Sequence, residues 1–266
     1  MIEYKYDKLF LLVHGLIRFA NYYHDHMVLQ RAPQRAIVWG YTNDTNARIT
    51  LAMNNKIYEA TKSLSANQAE TTIWSVELDA QTEEGPFQVK VSAKLPNGTI
   101  ETLVLDDVLF GDVWFCSGQS NMEFSLGRML NSSIEIQNAN KYPKIRLMTA
   151  DPSSANTTQE EPPKIVFNWS IASNVTTANG RVSAVCWMYG RMIHEALSER
   201  PIGLIHSSVG GTNIEQWTPA EVLQQCNITS ENKLDGTDMQ LYNAMVYPFT
   251  RMAIKGAIWY QGKIIL

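Results

Sequence analysis

The sequence contains few cysteines and no metal-binding pattern built from them. Among its 266 residues there are three cysteines, Cys116, Cys186 and Cys226. Three cysteines are too few for a disulfide framework, and an odd number cannot all be paired within the chain. One interpretation is a bridge between Cys186 and Cys226, and the other is that these two are buried free thiols. No spacing of cysteine and histidine matches a zinc site, so we expect neither a metal nor another cofactor.

Strong charge and long apolar segments are missing as well. Lys and Arg together number 22 and Asp and Glu 26, which gives a net charge of -4. This balance offers no electrostatic attraction for nucleic acid or acidic membranes. No apolar run reaches the roughly 18 residues of a membrane span. With 45% hydrophobic residues, the composition predicts a globular chain with a sizeable core, and with neither nucleic acid nor membrane as a partner.

The N-terminal segment and the glycosylation sequons bear on localisation. Residues 1–19 contain a short apolar run at 9–13 after two lysines, which resembles a degenerate signal segment. A buried first strand is the alternative interpretation. Asn-x-Ser/Thr sequons occur modestly more often than chance would give, and they favour a lysosomal or extracellular protein. The sequon asparagines are Asn43, Asn97, Asn131, Asn156, Asn168, Asn174 and Asn227.

Residues 20–105 have the pattern of β structure. Ile49, Leu51 and Met53 alternate with smaller or polar residues, and similar alternation recurs at 74–78 and 87–91. Period-two alternation places one face of a strand in a core and the other in water. Turn-forming residues separate the runs. We therefore predict a small β-sandwich-like domain over 20–105.

Residues 106–266 have a different pattern, in which buried strands alternate with helices. Continuous apolar runs predict strands at 113–116, 203–208 and 255–260. Helical periodicity predicts helices at 124–140, 183–200 and 243–251, and residues 150–180 are predicted to be a long surface connection. This order predicts an α/β fold with a parallel, doubly wound sheet, in which ligands bind at the carboxyl ends of the strands.

Those three predicted strand ends carry candidate functional groups. Ser120 follows the first strand, Gly210 and Gly211 follow the second, and Gln261 follows the third. A serine in such a turn is often only the cap of the next helix. Acyl transfer, however, needs a nucleophile and donors aimed at the developing oxyanion, and these are the groups that meet at this edge. The combination therefore predicts a serine-dependent acyl-transfer site.

Seven motifs, in order along the chain, resemble the sialate O-acetylesterases, a family of SGNH-type hydrolases. The motifs are RFA at 18–20, DHMVLQ at 25–30, DVLFGDVW at 107–114, SGQSNM at 117–122, PIGLI at 201–205, GGTNIEQW at 210–217 and WYQG at 259–262. The resemblance implies a flavodoxin-like SGNH hydrolase domain, incomplete at its C-terminus, preceded by a small β-sandwich domain. It also implies hydrolysis of O-acetyl esters of sialic acids or sialoglycans, without a metal.

The resemblance also implies roles for individual residues. Ser120 is the implied nucleophile, and its own amide, the amide of Gly211 and the Gln261 side chain form the implied oxyanion hole. The amide of Gly210 is an alternative to that of Gly211. The implied substrate-binding residues are Gln119, Asn121, Gly210 and Asn213.

The sequence departs from the family where the catalytic base is concerned. The family continues after WYQG with Glu and carries a catalytic Asp and His further on, whereas this chain has Lys263 and three apolar residues. His206 is expected to pack inside a strand and His194 to be solvated, so neither replaces that base. We therefore expect a truncated esterase with weak or no activity. The alternatives are a non-catalytic glycan-binding remnant and an acetylxylan-type esterase, against which the N-terminal motifs argue.

Overall fold

The computed structural model describes residues 17–67, 71–225 and 238–262. Most of the signal-like segment, Cys226, Asn227 and Lys263 therefore lie outside the described residues. The α-helices in these ranges are α1 (Ser132–Asn138), α2 (Asn174–Thr177), α3 (Ala184–Ala196) and α4 (Ala220–Gln225). The strands are β1 (Ile17–Phe19), β2 (Val28–Gln30), β3 (Ile37–Thr42), β4 (Arg48–Met53), β5 (Lys56–Glu59), β6 (Thr61–Leu64), β7 (Thr72–Glu77), β8 (Phe87–Lys94), β9 (Ile100–Gly118), β10 (Ile145–Ala150), β11 (Ile165–Ile171), β12 (Ile202–Ser208) and β13 (Gly256–Tyr260). No helix of the described ranges has the length and apolar character to cross a membrane.

The N-terminal part is β structure, as the alternation predicted, and its strands pair antiparallel except for β2, which pairs in parallel with β9. One sheet has the strand order β1-β3-β7-β6, and β5, β4, β8 and the first half of β9 form one end of a second, larger sheet. The predicted inward residues Ile49, Leu51 and Met53 are buried, and they share one hydrophobic core with Trp39 and Trp74 of the smaller sheet.

Strand β9 joins this antiparallel part to a mostly parallel sheet. Its second half pairs in parallel with β12 on one side and β13 on the other, and the order is β11-β10-β12-β9-β13. Only β11, at the edge, runs antiparallel to its neighbour. The predicted mixed α/β architecture is thus confirmed at this coarse level. Because β9 crosses 105/106 without a break, the division into two domains there stays a prediction.

Both faces of the parallel strands are covered, which explains their continuous apolar runs. On one face Cys116, Leu147 and Leu204 pack with Trp187 of α3. On the other face Phe115 packs against the ring of Phe249, with the ring centroids 5.3 Å apart. Side chains therefore pack against both faces of the strand that leads to Ser120.

Helix α3 confirms the predicted helix at 183–200, although it ends earlier. Ser183 is its N-cap, since its Oγ accepts a hydrogen bond from the amide of Cys186 at 3.2 Å. The expectation that His194 is solvated is wrong. Its side chain is buried, and Nδ1 donates to the carbonyl oxygen of Arg200 at 2.6 Å, because the chain turns back after the helix.

The interpretations of the cysteines are corrected by a disulfide between Cys116 and Cys186. Cys116 lies in β9 and Cys186 in the first turn of α3, and their Cα atoms are 5.8 Å apart because the helix packs directly on that strand. Cys186 is thus neither a free thiol nor bonded to Cys226. The bridge fastens α3 to the strand four residues before Ser120.

Two further predictions are wrong in part. The region 150–180 is more than a surface connection, because it contains β11 and α2. Trp169 of β11 is buried and donates its indole N–H to the carbonyl oxygen of Tyr22 at 2.9 Å. The region 124–140 contains short pieces rather than one helix, namely a 3-10 turn at Leu126–Arg128, α1 and a 3-10 turn at Ala139–Lys141.

Candidate active site

The three predicted strand ends meet at one residue of β9. Gly118 pairs with Ser208 of β12 on one side and with Tyr260 of β13 on the other. The parallel register therefore places the segments that follow these strands side by side. The prediction of a common edge is confirmed.

Gly118 makes the turn at the end of β9 possible. Its φ of 128° lies in a region that side chains disfavour, and a Cβ there would overlap the backbone oxygen of Tyr260. Hydrogen bonds fix the turn on both sides: the amide of Gln119 donates to Tyr260 at 2.9 Å, and that of Val209 donates to Gly118 at 3.1 Å. The following residues are thus held by both neighbouring strands.

Ser120 is exposed at the tip of this turn in a strained conformation. Its φ is +33°, which is unusual for a residue with a side chain. Its Oγ donates to Oε1 of the buried Gln119 at 3.1 Å. No α-helix starts directly after Ser120, so the serine is not the helix cap that the sequence left as an alternative. An exposed hydroxyl on a strained turn is the arrangement expected of a nucleophile.

The loop after β12 lies against the Ser120 turn. A Cβ at Gly210 would be 3.7 Å from the amide nitrogen of Ser120. The amide of Gly210 donates to Oε2 of Glu123 at 2.8 Å, so it is already engaged. Gly211, with φ of 77°, follows directly. Which of the two amides is the implied oxyanion donor stays a prediction.

Gln261, Asn213 and Asn121 complete the same edge. Nε2 of Gln261 donates to the carbonyl oxygen of Thr212 at 3.0 Å, which leaves its second N–H for another acceptor. Oδ1 of Asn213 and Oε1 of Gln261 are buried without a hydrogen-bond partner among the described residues. Nδ2 of Asn121 donates to the hydroxyl of Tyr260 at 3.1 Å. Buried orphan acceptors are uncommon and fit a site completed by a ligand or water.

A cleft of about 460 Å³ opens beside Ser120 on the side of β10 and β12. The loop residues Gly211, Asn213 and Gln261 do not line it, so the structure brings them to the edge but not to the cleft wall. The polar residues that line it with Ser120 include Glu123, Arg128, Arg181, His206 and Ser208. These five residues could not be chosen as site residues from the sequence, because they lie outside the strand-end motifs or inside a strand.

His206 is buried within β12, as expected, and it also lines the cleft wall. Its Nδ1 donates to the carbonyl oxygen of Arg181 at 3.1 Å. In the neutral ring Nε2 is then an acceptor, and it receives the hydroxyl of Ser208 at 2.6 Å. Burial lowers the pKa of His206 to about 4, so the imidazole is neutral at pH 7. It is therefore a weak base, and Ser208 rather than Ser120 bonds to it.

The described residues contain no group of three or more histidine, cysteine or acidic side chains that could hold a metal ion. The edge and its cleft present a hydroxyl, amides, carboxamides, one neutral imidazole, one carboxylate and two guanidinium groups. Such groups suit acyl transfer.

Comparison with known proteins agrees with this geometry. The carbohydrate esterase family described as sialic acid-specific acetylesterase matches residues 110–264. The chain belongs to this family. The match includes the second half of β9, the Ser120 turn and the segments after β12 and β13. The resemblance predicted from the seven motifs is thus confirmed.

Individual relatives give the same picture. The chain is 34% identical to sialate O-acetylesterase of Homo sapiens over 256 residues, which cover 92% of this chain and 48% of that protein. It is 30% identical to the Mus musculus enzyme of the same name, covering 92% and 52%. The crystal structure of a carbohydrate acetylesterase from Xanthomonas citri is similar with a TM-score of 0.75, 29% identity and coverage of 92% and 51%. The chain spans about half the length of these relatives.

Proposed function

We propose that this chain carries the nucleophile of a sialate O-acetylesterase, with an O-acetylated sialic acid or sialoglycan as its substrate. The observation that carries this proposal is the pairing of Ser208 and Tyr260 with Gly118. This pairing gathers the Ser120 turn and two donor-bearing segments at one edge. The family match supports the substrate class.

The proposed reaction has two steps. Ser120 Oγ bonds to the acetyl carbonyl carbon and gives its proton to a base, while the carbonyl electrons move to oxygen. The amides of Ser120 and Gly211 and the carboxamide of Gln261 stabilise that oxyanion. The sugar oxygen then leaves with a proton, and water hydrolyses the acetyl-enzyme to acetate. The proposed substrate contacts are Gln119, Asn121, Gly210 and Asn213. Loss of one oxyanion donor typically lowers turnover by about a hundredfold or more.

The base limits the activity that we expect. Ser120 Oγ is bonded to Gln119, and the imidazole of His206 is occupied by Ser208. A serine without an adjacent base is a weak nucleophile, so we expect slow hydrolysis by this chain. The comparisons do not favour the alternative of a non-catalytic glycan-binding protein, since the relatives are named as esterases.

Release of acetate from O-acetylated sialic acid by the purified chain tests the proposal. Ser120→Ala should abolish the release, whereas the matched control Ser125→Ala, which removes a hydroxyl from the same cleft wall, should retain it. Added imidazole should raise the rate of the parent chain and not that of Ser120→Ala, because it supplies a base. Equal rates for Ser120→Ala and the parent chain would contradict the proposed nucleophile.

We also propose that the protein is lysosomal or extracellular. The support is that Asn43, Asn97, Asn131, Asn156, Asn168 and Asn174, the six sequon asparagines in the described ranges, are all exposed. After expression in a secretory host, a mass shift on glycosidase treatment should be seen. A chain recovered from the medium without glycans would contradict this view.

The finer architecture is likewise a proposal. Residues 20–105 would form a β-sandwich-like domain, and 106–266 an SGNH-type, flavodoxin-like domain that shares β9 with it. Circular dichroism of residues 106–266 expressed alone tests this division: an α/β spectrum supports it, and a spectrum of an unfolded chain contradicts it.

A further inference from the structure

The cleft beside Ser120 is more positive than the chain as a whole. Its charged lining residues are Arg128, Arg181 and Glu123, whereas the chain has a net charge of -4. The single carboxylate is engaged in a hydrogen bond, since Oε2 of Glu123 accepts the amide of Gly210 at 2.8 Å. The cleft therefore favours an anionic ligand over a neutral one.

The two cleft arginines differ from the others in the chain. All ten arginines lie in the described ranges. Neither guanidinium of Arg128 and Arg181 has a hydrogen-bond or ion-pair partner among the described residues. Eight others each use the guanidinium group to bind another residue, and these are Arg18, Arg31, Arg35, Arg48, Arg146, Arg191, Arg200 and Arg251. The two guanidinium groups without a partner therefore both line the same cleft.

The backbone of Arg181 is fixed although its side chain is not. Its carbonyl oxygen accepts two hydrogen bonds of 3.1 Å, from Oγ1 of Thr149 and from Nδ1 of His206. Its amide donates to Oδ1 of Asn179 at 2.7 Å. Because the backbone is already fixed, binding a ligand has to order only the side chain.

The backbone next to Arg128 is hydrogen-bonded to the backbone next to Arg181. The amide of Leu126 donates to the carbonyl oxygen of Val182 at 2.8 Å, so the turn that carries Arg128 runs beside the segment that carries Arg181. Leu126 is fully buried and anchors this turn. Both arginines therefore project from adjacent, anchored backbones.

We propose that Arg128 and Arg181 together bind the carboxylate of the sialic acid and so orient its O-acetyl group towards Ser120. This inference rests on the proposed function. A sialic acid is a sugar acid whose carboxylate is ionised at neutral pH, and guanidinium groups bind carboxylates through paired, charge-assisted hydrogen bonds. Neutral O-acetylated sugars lack this group. The two arginines thus set the preference for an acidic sugar.

Binding of N-acetylneuraminic acid and of its uncharged methyl ester to the full chain tests the inference. Titration by calorimetry or NMR should show tighter binding of the acid. Arg128→Gln and Arg181→Gln should each weaken binding of the acid by about tenfold and binding of the ester by less than twofold. Arg181→Lys should retain part of the preference. The matched control is Arg48→Gln, which removes an exposed ion pair in the antiparallel part.

Equal affinity for the acid and the ester, or no binding of either, would overturn the inference. So would arginine variants that weaken both ligands alike, with melting curves that show them folded. Hydrolysis of an uncharged acetyl ester separates this inference from the proposed function. That reaction should depend on Ser120 and not on either arginine. If Ser120→Ala leaves it unchanged while the arginine variants lose the preference for the acid, the proposed nucleophile fails and the carboxylate site stands.

Discussion

Replacement of Gly118 by alanine should damage the fold at the point that positions Ser120. The glycine has a φ of 128°, which a residue with a side chain adopts only with strain. The new methyl group would overlap the backbone oxygen of Tyr260. Because that atom belongs to β13, it cannot rotate away as a side chain would. The substitution must therefore separate β13 from β9 or distort the turn.

The expected loss of stability follows from these two contacts. Backbone strain of this kind costs about 1–3 kcal/mol. Separation of the strands also breaks the hydrogen bond between the amide of Gln119 and Tyr260, which contributes about 1 kcal/mol. Together with lost packing of β13, we expect a decrease of about 3–5 kcal/mol in the free energy of unfolding.

Urea unfolding followed by tryptophan fluorescence measures this decrease, since Trp259 lies in β13. Gly210→Ala is the matched control. A Cβ at Gly210 would overlap Oε2 of Glu123, but that atom is the end of a flexible side chain that can move. We expect the control to lose less than about 1 kcal/mol. If Gly118→Ala is no less stable than Gly210→Ala, the close approach of β13 does not hold the turn and the reasoning is refuted.

Two further predictions concern the disulfide and the buried histidine. Cys186→Ala opens a bridge between residues 70 apart and should lower the free energy of unfolding by about 4 kcal/mol in urea; a reductant should destabilise the parent chain alone, and no effect would contradict the bridge. The pKa of His206 is about 4 in the folded chain, below its ordinary value of 6.5. The unfolded chain therefore binds a proton at this histidine more readily than the folded chain does. The free energy of unfolding should thus be unaffected by this group above about pH 6.5 and should fall by about 3 kcal/mol as the pH drops to 4. His206→Gln should flatten that part of the stability profile, and an unchanged slope would contradict the assignment.

The sequence predicted the edge that carries Ser120 because buried parallel strands leave a strong local signal. The apolar runs before Ser120, Gly210 and Gln261 each end at glycine or at a change to polar residues. Parallel pairing then requires that their ends meet. The register of the strands could not be predicted from the sequence. It shows that Gly118 pairs with both neighbouring strands.

The parts that were missed depend on contacts distant in sequence. Arg128 and Arg181 lie in irregular segments without periodicity. Backbone hydrogen bonds such as that between Leu126 and Val182 make these segments neighbours. The disulfide partner of Cys186 depends on how closely α3 approaches β9, which no spacing reveals. Likewise, His194 is buried because of a turn made after its own helix ends.

The N-terminal β structure also supports the strand that leads to Ser120. Arg146 of β10 is buried and donates to Oδ2 of Asp107 at 2.6 Å and to the carbonyl oxygen of His26 at 3.1 Å. Trp169 of β11 bonds to Tyr22 from the opposite part of the chain. Removal of residues 17–105 would leave these buried donors short of partners, which costs about 1–3 kcal/mol for each neutral group and more for a charged one. Residues 106–266 alone should therefore still fold but be considerably less stable than the whole chain. The two parts differ in pattern, yet they share a strand, a core and buried hydrogen bonds.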